Sequence, residues 1–183
     1  MSFLLDTPRL RLRQWRESDY LPFAQLNADA EVMRYFPKPL TRDESDAVAK
    51  RIQGLIHDNG WGFWAVELKQ TGEFIGFVGL HFQDAAIPHT PFVEIGWRLS
   101  SNHWGKGYAP EAAEQALAFA FDQLEMAEVY AFTPLPNKPS QRVMEKIGMS
   151  NINKDFDHPK LDKGHPMERH CLYKISAKEW RSR

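Results

Sequence analysis

The sequence lacks the features that mark secreted and membrane proteins. It has a single cysteine, Cys171, so no disulfide can form within the chain, and a reducing compartment fits this composition. No apolar run approaches the roughly 20 residues that a membrane-spanning helix needs. The first residues lack a long apolar stretch because Asp6 interrupts it, so we predict no signal peptide. These absences favour a cytoplasmic protein without a membrane partner.

Neither sign of charge is in excess. The chain has 23 Lys and Arg against 24 Asp and Glu, a net charge of −1. Nucleic-acid-binding proteins usually carry a basic face, so direct nucleic-acid binding is not expected. Arg9, Arg11 and Arg13 share one face of a short alternating strand. In a neutral chain, a solvated strand face is favoured over an RNA-binding one.

The chain also lacks internal repeats, low-complexity stretches and linkers. With 183 residues, of which 43% are hydrophobic, it is long enough for a sizeable core, and we predict one domain over 1–183. The histidines show none of the spacings typical of a metal site, so no metal is expected. Oligomeric state cannot be read from the sequence, which is compatible with a homodimer.

Hydrophobic periodicity predicts elements in the order β, α, α, β, β, β, α, β, α, β, β. One of the predicted helices begins at a capping box formed by Thr41 and Glu44, and Asn59 with Gly60 ends it. The other predicted ranges are 9–13, 17–28, 29–36, 63–69, 74–82, 91–99, 110–124, 128–133 and 138–147, followed by two strands within 150–175 around a loop at 158–166.

This order predicts a mixed sheet. The three consecutive strands from 63 to 99 have short connections and should pair antiparallel, with 74–80 central because it is apolar on both faces. Strand 91–99, helix 110–124 and strand 128–133 form a βαβ unit, whose strands should be parallel with a right-handed crossover. Helices should therefore cover both faces of the sheet.

The most informative stretch lies between strand 91–99 and the following helix. There, Gly105 and Gly107 precede the helix N-terminus, where backbone N–H groups and the helix dipole can bind a phosphate or pyrophosphate. An ordinary glycine-rich turn is the alternative. The stretch is not a P-loop, and it is not a dinucleotide-binding fingerprint because Pro110 stands at the third glycine position.

Three segments together resemble the GNAT superfamily of N-acetyltransferases. Glu94-Ile-Gly-Trp-Arg-Leu followed by Trp104-Gly-Lys-Gly-Tyr-Ala resembles its acetyl-coenzyme A loop, with Trp104 where Arg or Gln is usual. Thr7-Pro-Arg-Leu-Arg-Leu-Arg and Asn137-Lys-Pro-Ser-Gln-Arg-Val-Met-Glu-Lys-Ile-Gly-Met look like the first strand and the Asn-x-x-Ser/Ala segment. The loop with Trp104 at this position is similar to that of the branch of ribosomal-protein N-terminal acetyltransferases. The resemblance of the three segments together spans roughly the whole chain.

The resemblance implies an α/β (α+β) fold with a mostly antiparallel sheet of about seven strands and a splayed parallel pair. Between those two strands lies the slot for the cofactor, acetyl-CoA. The implied cofactor contacts are the backbones of Trp97, Arg98 and Leu99 for pantetheine, the N–H groups of Gly105, Lys106, Gly107, Tyr108 and Ala109 for the pyrophosphate, and Asn137 and Ser140 further along. For Asn137, helix capping is an alternative that can coexist with this contact, and Lys106 could instead be a solvated loop lysine.

The implied reaction is direct attack of a primary amine on the acetyl thioester in a ternary complex. The amine could belong to a protein N-terminus or to a small molecule such as an amino acid, a polyamine or an antibiotic. Glu94 is the candidate base, with pairing to an arginine or holding of a cationic acceptor as alternatives. In many relatives a tyrosine protonates the leaving thiolate of coenzyme A, and this chain has Met144 at that position. Ser140, a water or no acid at all would then serve the protonation step.

Other interpretations remain open. A domain that senses acyl-coenzyme A without turnover is the main alternative, supported by the missing tyrosine. A nucleotide-binding protein that uses the same loop is a weaker one. The aromatic cluster 60–64, as well as His165 and His170, could line the acceptor site, but core or structural roles are favoured. Cys171 is predicted to be a core thiol.

Overall fold

The computed structural model describes residues 3–183, and its centre is one mixed nine-stranded sheet. The strand order is β1-β2-β3-β4-β5-β6-β9-β7, with β8 also paired to β9. All neighbours are antiparallel except β5 and β6, which are parallel. The strands are β1 (Leu5–Asp6), β2 (Leu10–Arg13), β3 (Phe63–Leu68), β4 (Phe74–Gln83), β5 (Phe92–Leu99), β6 (Glu128–Pro134), β7 (Ser150–Asn151), β8 (Phe156–Asp157) and β9 (Arg169–Ser176).

The predicted mixed, mostly antiparallel sheet and its parallel βαβ pair are confirmed. Nine strands form where about seven were expected, because β1, β7 and β8 have two residues each. A strand of two residues is too short to show a hydrophobic period. The central position of β4 is also confirmed: it lies between β3 and β5, and its first seven residues are buried.

Five α-helices flank the sheet, and all but the last were predicted. They are α1 (Tyr20–Ala28), α2 (Arg42–Asn59), α3 (Tyr108–Asp122), α4 (Lys138–Lys146) and α5 (Ala177–Arg181). Short 3₁₀ turns precede α1 at Glu17–Asp19 and follow β5 at Ser101–His103. The capping box at Thr41 and Glu44 is present, and Gly60 ends α2 in the left-handed conformation with φ of 82°.

The predicted helix at 29–36 is wrong, because this segment forms a series of turns. Asp29 has extended backbone angles, and its carboxylate accepts the backbone N–H of Glu31 at 2.9 Å and the hydroxyl of Ser101 at 2.9 Å. An aspartate that bonds to its own neighbouring backbone offers the chain an alternative to the helical ladder. The segment therefore connects α1 to α2 as a series of turns.

The helices cover both faces of the sheet, as predicted. On β3, Phe63 packs against Phe77 of β4, a residue that also contacts Phe23 of α1. The next residue, Trp64, packs against Phe119 of α3. Successive strand residues point to opposite faces. Helix α1, with α2 packed on it, therefore covers one face, and α3, with α4, covers the other.

The interior is mostly apolar, and Cys171 lies within it as a buried thiol, as predicted. Burial raises the pKa of the Cys171 thiol, although backbone hydrogen bonds oppose this shift. Over residues 3–183, we find no helix with the length and apolar character required to cross a membrane.

Candidate active site

The parallel strands β5 and β6 pair at a single position, Glu94 opposite Tyr130. Strand β5 continues to Leu99 and β6 to Pro134, but within residues 3–183 no further pairing joins them. The two strands therefore separate beyond Glu94, which leaves the β6-facing edge of β5 without a strand partner. This splayed pair is the slot that the sequence predicts, and Trp97, Arg98 and Leu99 lie on its β5 wall.

The glycine-rich loop follows β5 and ends at the first turn of α3. Gly105 and Gly107 have φ of 73° and 79°, values that side-chain-bearing residues rarely adopt. In the part of the chain that the structure describes, no acceptor is found for the backbone N–H groups of Gly105, Lys106, Gly107, Tyr108 and Ala109. Five adjacent donors at a helix N-terminus form a binding site for an anion. The loop therefore fits the pyrophosphate of coenzyme A.

A salt bridge that the sequence analysis missed supports this loop. The guanidinium of Arg9 bonds to Glu111 (Nε to Oε2, 2.7 Å) and to the carbonyl oxygen of Lys106 (2.9 Å), and it lies 4.4 Å from the ring centre of Tyr108. Glu111 also accepts the hydroxyl of Thr7 at 2.6 Å and the backbone N–H of Arg9 at 2.9 Å. Arg9 therefore fixes the loop to the start of β2, rather than serving only as a solvated strand residue.

Asn137 and Ser140 lie at the start of α4, on the α3 side of the sheet. Asn137 caps this helix, as predicted: its Oδ1 accepts the backbone N–H of Ser140 at 3.2 Å, and its Nδ2 donates to Thr133 at 2.9 Å. The hydroxyl of Ser140 accepts the indole N–H of Trp97 at 3.3 Å. Since Trp97 belongs to β5, this bond connects the β5 wall of the slot with α4 and leaves the hydroxyl proton of Ser140 free to be donated.

Met144 stands one helical turn beyond Ser140 and belongs to the core. Its side chain is only 3% exposed and packs in the main hydrophobic cluster. A thioether does not donate a proton. Met144 therefore cannot protonate the leaving thiolate.

Glu94 lies on the other face of the sheet, directly across from His81 of β4. Burial raises the pKa of the Glu94 carboxyl to about 8, although a bond from Gln83 Nε2 (3.4 Å) and the charge of Lys160 act in the opposite direction. Burial also lowers the pKa of His81, with Arg51 and Lys160 adding to the effect and Asp84 opposing it. Glu94 is therefore poised to exchange a proton near neutral pH. Among residues 3–183, it makes no salt bridge with an arginine.

A cavity of about 520 Å³ lies on the same face, between α2 and the ends of β3 and β4. Its walls are the residues Ile52, Leu55, Asn59, Trp61, Gly62, Phe63, Leu80, His81, Phe82 and Asp84. The aromatic cluster 60–64 thus divides: Trp61 and Phe63 line the cavity, whereas Trp64 is core. His81 places the cavity next to Glu94.

An aromatic ring lies over Gly96 of β5. A side-chain Cβ at Gly96 would approach Phe63 Cε1 to 3.1 Å. A side chain at position 96 would therefore press on Phe63, which also stacks on His81 with ring centres 5.6 Å apart. The open volume begins beyond Phe63, in the cavity.

The two histidines considered for the acceptor site have local partners. Burial lowers the pKa of His170 to about 4, its Nδ1 lies 3.0 Å from the carbonyl oxygen of Glu168, and His165 Nδ1 accepts the N–H of Met167 at 3.0 Å. Among the residues described, no group of three or more His, Cys, Asp or Glu side chains is arranged to hold a metal ion.

These features coincide with the sequence match to a known family. Residues 9–150 match the acetyltransferase (GNAT) domain. The chain belongs to the GNAT acetyltransferase family. GNAT enzymes are N-acetyltransferases that use acetyl-CoA, so the family supplies the ligand that the loop fits.

Individual relatives agree. The chain is 31% identical to the uncharacterized N-acetyltransferase YnaD of Bacillus subtilis over 177 residues, which cover 96% of this chain and 98% of that one. It is 32% identical over 169 residues to the FsC-acetyl coenzyme A-N(2)-transacetylase of Aspergillus fumigatus, covering 85% and 68% of the two chains.

Solved structures share the fold. A GNAT-family acetyltransferase from Bacillus anthracis superposes with a TM-score of 0.79 at 26% identity, covering 96% of this chain and 99% of that one. The ribosomal-protein-S5-alanine acetyltransferase of Vibrio fischeri has a TM-score of 0.74 at 19% identity, with 98% and 99% covered, and shows the fold alone. The GNAT resemblance seen in the three sequence segments is confirmed.

Proposed function

We propose that this GNAT protein transfers an acetyl group from acetyl-CoA to a primary amine by direct attack in a ternary complex. The observation that carries the proposal is the position of Glu94. Its carboxyl has a pKa of about 8 because of burial, and it stands at the one position where β5 and β6 pair, beside the acceptor-side cavity. A base poised near neutral pH between a cofactor slot and a second cavity suits amine acetylation.

The chain's own groups would hold acetyl-CoA along the slot. The five N–H groups from Gly105 to Ala109 would bind the pyrophosphate, and the side chain of Arg9 would keep the loop in place for them. The backbone of Trp97, Arg98 and Leu99 would hydrogen-bond the pantetheine arm. Asn137 and Ser140 would lie at the α4 side of that arm. When bound, acetyl-CoA supplies an activated thioester.

Three groups would act on the reacting atoms. Glu94 would take the proton of the attacking amine, directly or through a water, so that the nitrogen lone pair is free. Backbone N–H groups of β5 would stabilise charge on the thioester oxygen. Ser140 could donate a proton to the departing sulfur, because its oxygen accepts from Trp97 and its own proton is free. The slot and cavity would hold both reactants together.

The acceptor would be a protein N-terminus or a small-molecule amine. The family does not decide between them, since acceptors vary among proteins of one fold. The cavity has apolar and aromatic walls with Asp84 among them, so an amine attached to an apolar group would fit it.

An acyl-coenzyme A sensor without turnover is the second candidate, favoured by the burial of Met144 where an acid is common. Release of free coenzyme A thiol in the presence of a panel of amines would separate the two. Amine-dependent release that Glu94→Gln abolishes, with coenzyme A binding retained, supports catalysis. Tight binding of coenzyme A without release for any amine would support the sensor instead.

A further inference from the structure

Arg98 is a cation on the acceptor face of β5, and no anionic partner for it lies within residues 3–183. Its side chain shares a face with Glu94 and Gly96, since alternate strand residues point the same way. Its Nη1 donates to Asn27 Oδ1 at 2.9 Å. Asn27 is itself fixed, because its Nδ2 donates to Ser45 Oγ at 3.0 Å. The partner of Arg98 is therefore the neutral carbonyl oxygen of an amide.

The remaining edge of the guanidinium has no partner. Nε of Arg98 is buried and, over residues 3–183, neither it nor Nη2 donates to an acceptor. Phe36 lies over the guanidinium at 4.3 Å and Phe77 at 5.4 Å, so aromatic rings cover part of the guanidinium. Burial lowers the pKa of Arg98 to about 10.

The fully buried arginine of this chain is paired differently. Arg13, which is 5% exposed, bonds to Asp19 at 2.8 Å and to Glu67 at 2.6 Å. Two carboxylates thus compensate the guanidinium of Arg13, whereas over residues 3–183 no carboxylate pairs with Arg98. The buried Nε of Arg98 carries the cost of an unmade hydrogen bond, so its retention in the fold calls for an occupant.

The free atoms also define what that occupant is. Nε and Nη2 form one edge of the planar guanidinium, whose two parallel N–H groups match the two oxygens of a carboxylate. We propose that this edge of Arg98 binds a carboxylate of the acceptor molecule, so that the acceptor is an amino acid or peptide with a free carboxylate. The proposal rests on the acetyltransferase function given above.

The spacing along β5 sets the size of that acceptor. Glu94 and Arg98 are four residues apart, ~13 Å along an extended strand. The amine and the carboxylate of an α-amino acid are too close together for one molecule to reach both residues. An acceptor with several bonds between the two groups, such as an ω-amino carboxylate or a short peptide, can do so. Its connecting chain would lie along the Phe63 ring that covers Gly96.

Two matched probes test the carboxylate. The first is 6-aminohexanoate, and the second is 6-aminohexanamide, which has the same length and amine but no negative charge. We expect the protein to use the first with a kcat/KM about 10- to 100-fold higher, the effect of a charge-assisted bidentate contact. Arg98→Met should bring this ratio close to one. Arg98→Lys keeps the charge but lacks the two parallel N–H groups, so it should give an intermediate ratio. This variant replaces Arg98→Met in the test if the methionine variant does not fold.

Arg142→Met is the matched control, because Arg142 is exposed on α4 and should leave the ratio unaltered. A binding measurement that needs no turnover accompanies the kinetics. With coenzyme A present, 6-aminohexanoate should raise the melting temperature more than the amide does, and only while Arg98 is intact.

Equal use of both probes by the natural protein would overturn the proposal, as would an unaltered preference in Arg98→Met. A protein that binds coenzyme A but releases none with any amine would instead contradict the proposed function. The melting-temperature comparison would then decide the role of Arg98 separately.

Discussion

The indole N–H of Trp97 on β5 donates to the hydroxyl of Ser140 on α4 across 3.3 Å. This bond joins two elements that are not neighbours in the chain, and it sets the direction of the hydroxyl. The lone pair faces Trp97, so the proton of Ser140 points elsewhere. The group proposed to act on the departing sulfur is therefore positioned by the strand that forms the slot.

Ser140→Ala tests this arrangement. If the hydroxyl donates a proton, kcat should fall by about tenfold, the lower end for acid catalysis because coenzyme A thiolate is a fair leaving group. The Michaelis constant for acetyl-CoA should change less. Trp97→Phe is the companion variant, since it removes the same hydrogen bond but keeps the hydroxyl. Equal losses of kcat in the two variants would show that only the bond between β5 and α4 matters.

Glu94→Gln keeps the shape of the side chain and removes its basicity. We expect kcat to fall by about 10²–10⁴-fold, the usual range for general base catalysis. In the natural protein the rate should rise with pH up to about 8, where Glu94 loses its proton, and the variant should lack this limb. Glu31→Gln, at an exposed turn, is the control. A raised acceptor Michaelis constant with kcat and pH profile intact would make Glu94 a binding residue.

The raised pKa of Glu94 also predicts a pH-dependent stability. The folded protein keeps this proton to a higher pH than the unfolded chain, whose Glu titrates near 4.3. The stabilisation is complete below that pH and is lost as pH rises through about 8. Glu94→Gln should therefore gain melting temperature relative to the natural protein between pH 5 and pH 9. A constant difference across these pH values would contradict the burial of the carboxyl.

Gly107→Val tests the anion site. Gly107 has φ of 79°, and a Cβ there would lie 3.4 Å from Arg9 Nη2. The added side chain should weaken coenzyme A binding by about 1–3 kcal/mol through strain and lost hydrogen bonds, measured by calorimetry. Gly72→Val is a close control, since Gly72 has φ of 74° in the turn between β3 and β4, with open space around it. If both variants bind coenzyme A equally well, the phosphates lie elsewhere.

Glu111→Gln should weaken the contact with Arg9 that fixes the same loop to the start of β2. The pKa of Glu111 lies below its usual value, because hydrogen bonds and charge from Thr7 and Arg9 outweigh the opposing effect of burial. Its stabilisation is thus present above the pKa of the unfolded carboxyl and is lost as pH falls through the folded one. We expect the variant to lower both melting temperature and coenzyme A affinity at pH 7, and to match the natural protein in stability at acid pH.

The control for this variant is Glu114→Gln, three residues further along α3. Glu114 pairs with Arg183 at the surface, across 2.9 Å. An exposed pair contributes little to stability. If Glu114→Gln lowers coenzyme A affinity as much as Glu111→Gln does, the effect comes from the general charge of α3 and not from the loop contact.

Local sequence patterns predicted much of this fold. The capping box at Thr41 and the glycines at 105 and 107 each act within a few residues, so their effect is visible in the sequence. The turns at 29–36 were missed because Asp29 bonds to Ser101, which is 72 residues away. A hydrophobic period carries no sign of such a contact.

Parts of the candidate site could likewise be predicted from local sequence, and other parts could not. The anion loop could be predicted because a strand, two glycines and a helix follow one another. The contact of Arg9 with Glu111 could not, since 102 residues separate them and neither residue type is unusual at its position. The isolation of Arg98 was equally hidden, because it depends on where every carboxylate of the fold ends up. The position of Glu94 on β5 followed from strand alternation, but its burial required the packed structure.

The single pairing position between β5 and β6 divides the sheet into two halves, β1–β5 and β6–β9, connected by one rung and by the helices that cross it. A molecule that fills the gap and bonds to the free edge of β5 takes the place of the missing rungs. Ligand binding then adds directly to the free energy of unfolding, by about 2.7 kcal/mol at a concentration 100 times the dissociation constant. We therefore expect the lifetime of this protein in a cell to follow the supply of acetyl-CoA, and hence the metabolic state in which the protein is made.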